Sequence, residues 1–339
     1  MIDLNTVWFG LVGVLIIGYA ILDGFDLGVG VLHIFAKSDH ERRIHLNAIG
    51  PVWDGNEVWL LTGGGALFAA FPVVYATVFS GFYLALILLL MALIFRAVSL
   101  EFRSKVENPG WRKFWDICFW LGSLLPAVLF GVAVGNVLRG VPIDSNLMWA
   151  GSFLGLLNPY AILIGVLSLV MFTMHGALYM ACKTEGEFQQ RMDNWAGKTW
   201  YVFVVLYILA TLYTYFSASY LFEGILGNPL FWVLFLLLIA AVLFIPVWIK
   251  AKKYFRAFLA SSTTILSMIG LAAVSMYPKL VPSSIDLANS LTIYNASSTD
   301  RTLTVMLIIA VVGMPLVIGY TWFIYRIFKG KTVITDESY

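Results

Sequence analysis

The chain has 339 residues and a net charge of +2; 60% of its residues are hydrophobic and 12% charged, against about a quarter charged in an ordinary soluble domain. That balance excludes a water-soluble enzyme and a nucleic-acid-binding module, and with a mean hydropathy of +0.88 it describes a polytopic membrane protein. Aromatic residues at 16%, including 12 Trp, suit a chain that anchors many helix ends at the membrane interface.

Apolar runs of about 17 to 20 residues or more, enough to cross a hydrocarbon core of roughly 30 Å, predict nine spanning helices. In chain order they cover 7–34, 56–71, 73–95, 114–138, 153–181, 200–221, 230–249, 255–276 and 303–327. Residues 1–5 lack the basic region of a signal peptide, so the first run reads as a retained span. The second run is short and closed by Pro72. Connections are short except 277–302, whose Pro, Ser and Asn residues mark ordered turns. The Asn295-Ala296-Ser297 sequon carries little weight by itself. With no soluble domain and no nucleotide-binding motif, 1–339 reads as one integral membrane domain. Cys118 and Cys182 lie in separate apolar runs, with no metal-ligand spacing and no expected disulfide.

Basic residues give the predicted orientation. One set of connections holds Lys37, Arg42 and Arg43, then Arg96, Arg103, Lys105, Arg112 and Lys113, then Lys183, Arg191 and Lys198. It continues with Lys250, Lys252, Lys253 and Arg256, and ends with Arg326, Lys329 and Lys331. The alternate set holds only Arg139, Lys279 and Arg301 of the 21 Lys and Arg. The positive-inside rule therefore puts the N-terminus outside and the C-terminus in the cytoplasm.

On that topology two acidic groups face the cytoplasmic side. Asp23 and Asp26 share a face of the first helix, and Asp26 lies about 12 Å below its predicted end. A carboxylate at that depth costs a few kcal/mol and marks ion or proton paths more often than not. Asp54 and Glu57 open the second run, beside Trp53. Asp54 before Gly55 reads equally well as a helix N-cap with Glu57 near a capping-box position. Asp23 and Asp26 also have a structural reading, as partners of an arginine such as Arg96. His33, His40 and His45 read as a solvated loop face. His175, inside a span among methionines, raises haem ligation, but a satisfied interior histidine is favoured because no second ligand stands out. Gly63-Gly64-Gly65 reads first as close helix packing and second as a broken helix at a transport site; Gly24, Gly28 and Gly30 read alike.

Several motifs then resemble one family. Gly18-Tyr-Ala-Ile-Leu-Asp23-Gly24-Phe25-Asp26-Leu-Gly28-Val-Gly30, Glu41-Arg42-Arg43 and Trp53-Asp54-Gly55-Asn56-Glu57-Val-Trp59 are similar to subunit II of the bacterial cytochrome bd-type quinol oxidases. So are Gly63 to Ala70, Phe79-Ser80-Gly81-Phe82-Tyr83, Phe95-Arg96, Gly131 to Asn136, Leu157-Asn158-Pro159 and the outer-loop residues Pro282-Ser283-Ser284, Ser290-Leu291-Thr292 and Asn295 to Ser298.

The resemblance implies an all-α membrane fold of two four-helix bundles plus a peripheral ninth helix. It implies a larger, haem-bearing subunit I as partner, holding two b haems, haem d and the quinol site, with no haem ligated by this chain. Small single-span accessory subunits, membrane lipid and quinone are further partners it suggests. The complex it implies sits in the bacterial plasma membrane, oxidises quinol and reduces dioxygen to water with cytoplasmic protons. Carried over, the proton path comprises Asp54, Asp26 and Asp23, with Trp53 lining the same region near the partner's haems. The family commonly has Gln where this chain has Glu57, so the resemblance assigns Glu57 no role. A proton-coupled secondary transporter is the alternative reading of the same carboxylates, and a scaffold in which the acids only cap and pair is a third.

Overall fold

The computed structural model describes residues 3–334. Eight of its helices are long and apolar enough to cross a membrane: α1 (Leu4–His33), α5 (Tyr83–Phe102, continued by a short 3-10 turn), α6 (Pro109–Arg139), α7 (Pro159–Lys183), α8 (Gly186–Ser217), α9 (Pro229–Lys250), α10 (Tyr254–Met276) and α11 (Asp300–Ile327). Between α1 and α5 lie α2 (Asp39–Ile49), α3 (Trp53–Ala70) and α4 (Pro72–Gly81). α3 is not among the eight, because its first five residues include Asp54, Asn56 and Glu57. The predicted third run begins within α4, and helix breaks fall at Phe71 and Phe82. Pro72 has no N–H to continue α3, and the Ala70 carbonyl at the break accepts from the Ser298 N–H at 2.8 Å.

Three helices start on the same dipeptide. Asn108, Asn158 and Asn228 each cap a first turn through the side-chain oxygen, and Pro109, Pro159 and Pro229 follow, where a missing N–H costs nothing. This cap moves the start of the fifth predicted run from 153 to Pro159. Asp3 caps α1 through the Thr6 N–H at 2.7 Å, and Thr299 caps α11.

α1 packs on α3, α6 and α7, while α7 also packs on α8 and α10, and α9 on α10. α7 is the most buried of the long helices, 61% along its most apolar stretch, and α11 the least at 6%. At the α1–α7 crossing Gly28 and Gly176 face each other so closely that a β-carbon on either would meet the other's backbone or a neighbouring carbonyl. The close-packing reading of Gly28 therefore holds, and Gly24 likewise receives the Phe172 ring. The glycine triplet differs. α3 runs unbroken through it, a β-carbon on the buried Gly63 would meet Leu15 at an ordinary 3.7 Å, and one on Gly64 or Gly65 would face open space.

One core cluster joins the second half of α1 to α2, α7, α8 and α10, around Phe25, Leu46, Met174 and Phe203. The other joins Trp8 and Val12 of α1 to Phe71, Val74 and the 277–302 connection. That connection is ordered, as expected: β1 (Lys279–Val281) pairs antiparallel with β2 (Leu291–Thr292). The Ser283 hydroxyl donates to the Ile143 carbonyl at 2.8 Å, tying it to the segment after α6.

Candidate functional site

The α1 stretch Asp23-Gly24-Phe25-Asp26 is buried among α3, α5 and α7, and both carboxylates have no exposed surface. Arg96, on α5 and equally buried, donates Nη1 and Nη2 to the two oxygens of Asp23 at 3.0 and 2.6 Å. A bidentate guanidinium is the pairing that best compensates an ionised carboxylate out of water. Asp26 Oδ2 stands 4.0 Å from Arg96 Nη2, and Glu57 Oε2 4.0 Å from Nη1. Arg96 thus gathers three acidic side chains from α1 and α3 while forming hydrogen bonds to one.

Asp26 takes its hydrogen bond from elsewhere. Asn56 Nδ2 donates to Asp26 Oδ2 at 2.7 Å and to the Leu22 carbonyl at 3.2 Å. The Tyr325 hydroxyl of α11 donates to Asn56 Oδ1 at 2.9 Å. Asp26 Oδ1 is buried with no hydrogen-bond partner. The result is a chain, Tyr325–Asn56–Asp26, beside a closed ion pair, Arg96–Asp23.

Asp54 is not drawn into this cluster. It is the second residue of α3 and exposed, whereas Val52 occupies the N-cap position without a side-chain bond. The N-cap reading of Asp54 is therefore corrected: its negative charge favours the helix start only through the dipole. Glu57, one turn further on, is partly exposed, at 21% of its side chain, and lies between Asp54 and Arg96. Trp53 is half-buried and packs against the α1–α7 core.

A second buried cluster lies at the same end of the molecule. Asp116 of α6 accepts from Arg103 Nε at 2.5 Å and from His33 Nε2 at 2.8 Å when that nitrogen carries the proton, and Arg42 stands 3.5 Å away. Arg103 also reaches Asp39 at 2.7 Å, and Arg112 reaches it at 3.0 Å. Burial would raise the Asp39 carboxyl, but the hydrogen bond and charge of Arg103, joined by Arg112, hold it below its ordinary value. His33 and His45 were expected on a solvated face; both are fully buried, with ring centroids 5.6 Å apart, and only His40 of the three is exposed. Burial first, then the charges of His33 and Arg191, push the His45 imidazole well below its ordinary pKa. The histidine expectation fails because α2 is amphipathic and lays His45, Leu46 and Ile49 against α1, α7 and α8.

His175 is engaged at both nitrogens, with Ser261 Oγ at 2.6 Å from Nδ1 and the Ile21 carbonyl at 3.0 Å from Nε2, and its ring stacks on Phe258 at 4.5 Å. Neither nitrogen offers a free lone pair to an iron, so these residues do not fit an axial ligand. Among the described residues no three His, Cys, Asp or Glu side chains group as a metal site.

Sequence reasoning missed Asn56, Tyr325 and Asp116. Asp116 could have been flagged as a lone acid inside an apolar run, as Asp26 was; nothing in the sequence pairs Tyr325 with a residue 269 positions away.

Comparison with known proteins places the chain in a family. The family model for cytochrome bd terminal oxidase subunit II matches residues 4–328. Cytochrome bd-I ubiquinol oxidase subunit 2 of Escherichia coli K12 is 39% identical, over 100% of this chain and 98% of that protein. Cytochrome bd ubiquinol oxidase subunit 2 of Bacillus subtilis is 38% identical, over 98% and 97%. The structure of bd oxidase from Geobacillus thermodenitrificans superposes with a TM-score of 0.81 over 96% of this chain and 99% of its own, at 15% identity, and so shares the fold. The unbroken match from α1 to the end of α11, over helices that pack as a membrane bundle, shows that the chain belongs to the cytochrome bd terminal oxidase subunit II family and is a multi-pass membrane subunit of a quinol:oxygen oxidoreductase.

Proposed function

We propose that the chain is the haem-free subunit of its oxidase, supporting assembly of a haem-bearing subunit I and passing protons inward from the cytoplasm. The relatives' names include ubiquinol oxidase, and quinol is the reductant of the complex proposed for this chain. In the membrane α3 supplies the ninth crossing: its 18 residues span about 27 Å. α1, α3, α5 and α6 form one four-helix bundle, α7 to α10 the second, and α11 stands outside both. The N-terminus is outside, and the basic face, which carries α2 and both acidic clusters, is cytoplasmic. Residues 1–339 act as one integral membrane domain, accompanied by lipid and by small accessory subunits.

The observation that carries the proton role is Asp26: fully buried, hydrogen-bonded through one oxygen to Asn56 and free at the other, beside an arginine already closed on Asp23. A carboxylate with a free oxygen can accept a proton without first breaking an ion pair. Asp54 at the exposed helix start collects protons, Glu57 stands between it and the cluster, and Asp26 takes them up. Asp23 holds Arg96 in place, an anchoring task within the path. Haem in the partner supplies the oxygen chemistry; this chain's side chains hold and deliver the proton, with Trp53 closing the region against water.

The test is Asp26→Asn and, separately, Asp54→Asn in the assembled complex, with haem content measured optically. Slower oxygen reduction at full haem content supports the path, and wild-type turnover in both removes it. For the haem-free reading, the chain expressed alone should show no haem bands, while the complex shows b and d bands.

A further inference from the structure

A basic recess lies between α8 and α9, away from both acidic clusters. Its volume is about 370 Å³, and its lining includes Lys198 of α8, Lys250 at the end of α9 and Lys252 just beyond. Three lysines line it against one carboxylate residue, Asp193, which receives the Tyr254 hydroxyl at 3.4 Å. None of the three lysines has an ion-pair partner within 4.0 Å among the described residues.

The backbone supplies a second, independent observation. α9 ends in a Schellman motif, with the Lys253 N–H on the Trp248 carbonyl and the Lys252 N–H on the Ile249 carbonyl, both at 2.9 Å. Its left-handed position, where glycine is usual, holds Lys252 at φ +55°. A β-carbon is disfavoured there, so a lysine is retained at some cost in folding. Complementing the carbonyl end of α9 would explain Lys250. It explains neither Lys198 on the neighbouring helix nor a lysine in the left-handed position.

The recess opens onto an exposed apolar surface. Val205 and Ile208 of α8 and Leu243 and Val247 of α9 are each half or more exposed, as is Tyr201 at the recess itself. Lys253 and Arg256 stack over the Trp248 ring at 5.5 and 5.0 Å, the aromatic and cationic pattern of a membrane interface. A basic pocket between membrane helices at that level suits a lipid headgroup, whose chains would cover the apolar faces beside it.

We propose that this recess binds the phosphodiester headgroup of an anionic phospholipid, with its acyl chains along α8 and α9. The test uses the assembled complex in nanodiscs containing a photoreactive phosphatidylglycerol or, as control, a photoreactive phosphatidylcholine. Phosphatidylglycerol should label peptides from 193–201 and 247–256, and Lys198→Gln/Lys250→Gln/Lys252→Gly should reduce that labelling at least fivefold. Lys252→Gly alone should weaken labelling while keeping or raising thermal stability, because it removes a left-handed lysine; this separates binding from folding. Asp193→Asn should strengthen labelling. Equal labelling by phosphatidylcholine, or unchanged labelling in the triple variant, overturns the proposal. Loss of labelling on adding millimolar inorganic phosphate at matched ionic strength also overturns it, by showing a site for free anions.

Discussion

Arg96 closes both Nη groups on the carboxylate of Asp23, at 3.0 and 2.6 Å, with neither side chain exposed. That one pair divides two aspartates three residues apart on the same helix face into different tasks. Asp23 is bound to a cation; Asp26 is left with an amide and an unpartnered oxygen.

The two aspartates should therefore fail differently. Asp23→Asn takes away the carboxylate closed on Arg96 and leaves only those of Asp26 and Glu57, each 4.0 Å away, at a cost of up to about 3–5 kcal/mol, and is expected to lower the yield of assembled complex. Asp26→Asn keeps the Arg96 pair and should assemble with full haem content while slowing oxygen reduction by roughly tenfold or more, the scale of a lost proton-transfer group. Complex yield by haem absorbance and oxygen-electrode rates separate the two. Equal yields with equal rates would refute the division of labour.

Tyr325→Phe removes one hydroxyl from the chain ending at Asp26. The lost hydrogen bond is worth about 0.5–1.5 kcal/mol, so assembly should persist. Asn56 loses its outer partner and its hold on Asp26 loosens, so turnover should fall severalfold. A rate indistinguishable from wild type would detach α11 from the site.

Asp116→Asn should destabilise the basic face. Asp116 serves His33, Arg103 and Arg42 together, and Arg103 is 1% exposed. Removing the shared carboxylate leaves Arg103 with Asp39 alone, a loss of about 1.5–3 kcal/mol for a hydrogen bond to a charged group. Thermal unfolding in detergent measures it, and haem spectra of the surviving fraction should remain normal.

Acid should loosen α2 through His45. Burial, reinforced by His33 and Arg191, depresses its folded pKa well below 6.5, so the unfolded chain binds a proton that the folded chain refuses. The stability from a neutral His45 is complete above pH 6.5 and is lost as pH falls from there toward the depressed value, at up to about 1.4 kcal/mol per pH unit. His45→Phe should flatten the fall of the unfolding temperature between pH 6.5 and 5. Asp39, held below 3.8, adds its own loss only at more acid pH.

Gly28→Ala should destabilise the α1–α7 crossing. Its β-carbon would overlap the Phe172 carbonyl, and backbone cannot move aside as a side chain can. The overpacking cost is about 1–3 kcal/mol or more. Gly64→Ala, facing open space inside α3, should keep or slightly raise the isolated chain's stability. Comparing the two by size-exclusion yield checks the contrast.

Much of this was legible because membrane burial is written in composition. Long apolar runs exposed eight helices and acids inside apolar runs exposed Asp23 and Asp26, whereas the Asn-Pro dipeptides at three of the helix starts carry no hydropathy signal and went unread. Helix ends were less legible at 53–83, where Pro72 and the polar start of α3 interrupt the hydropathy signal. His33 and His45 were misjudged because a polar segment can still bury one face when it folds into a helix against a bundle.

The sequence by itself determined the class of protein, the positions of most helices, the sidedness of charge and the carboxylates worth watching, since each depends on local composition and on the cost of placing charge in hydrocarbon. Only the tertiary structure decided which acid is closed on the arginine and which is held by an amide with one oxygen unpartnered. That choice rests on Arg96 and Asn56, which reach the α1 aspartates from two other helices, and on Tyr325, which holds Asn56 from a third. Contacts between residues 30 to 269 positions apart leave no periodicity in the chain; they exist only once the helices have packed.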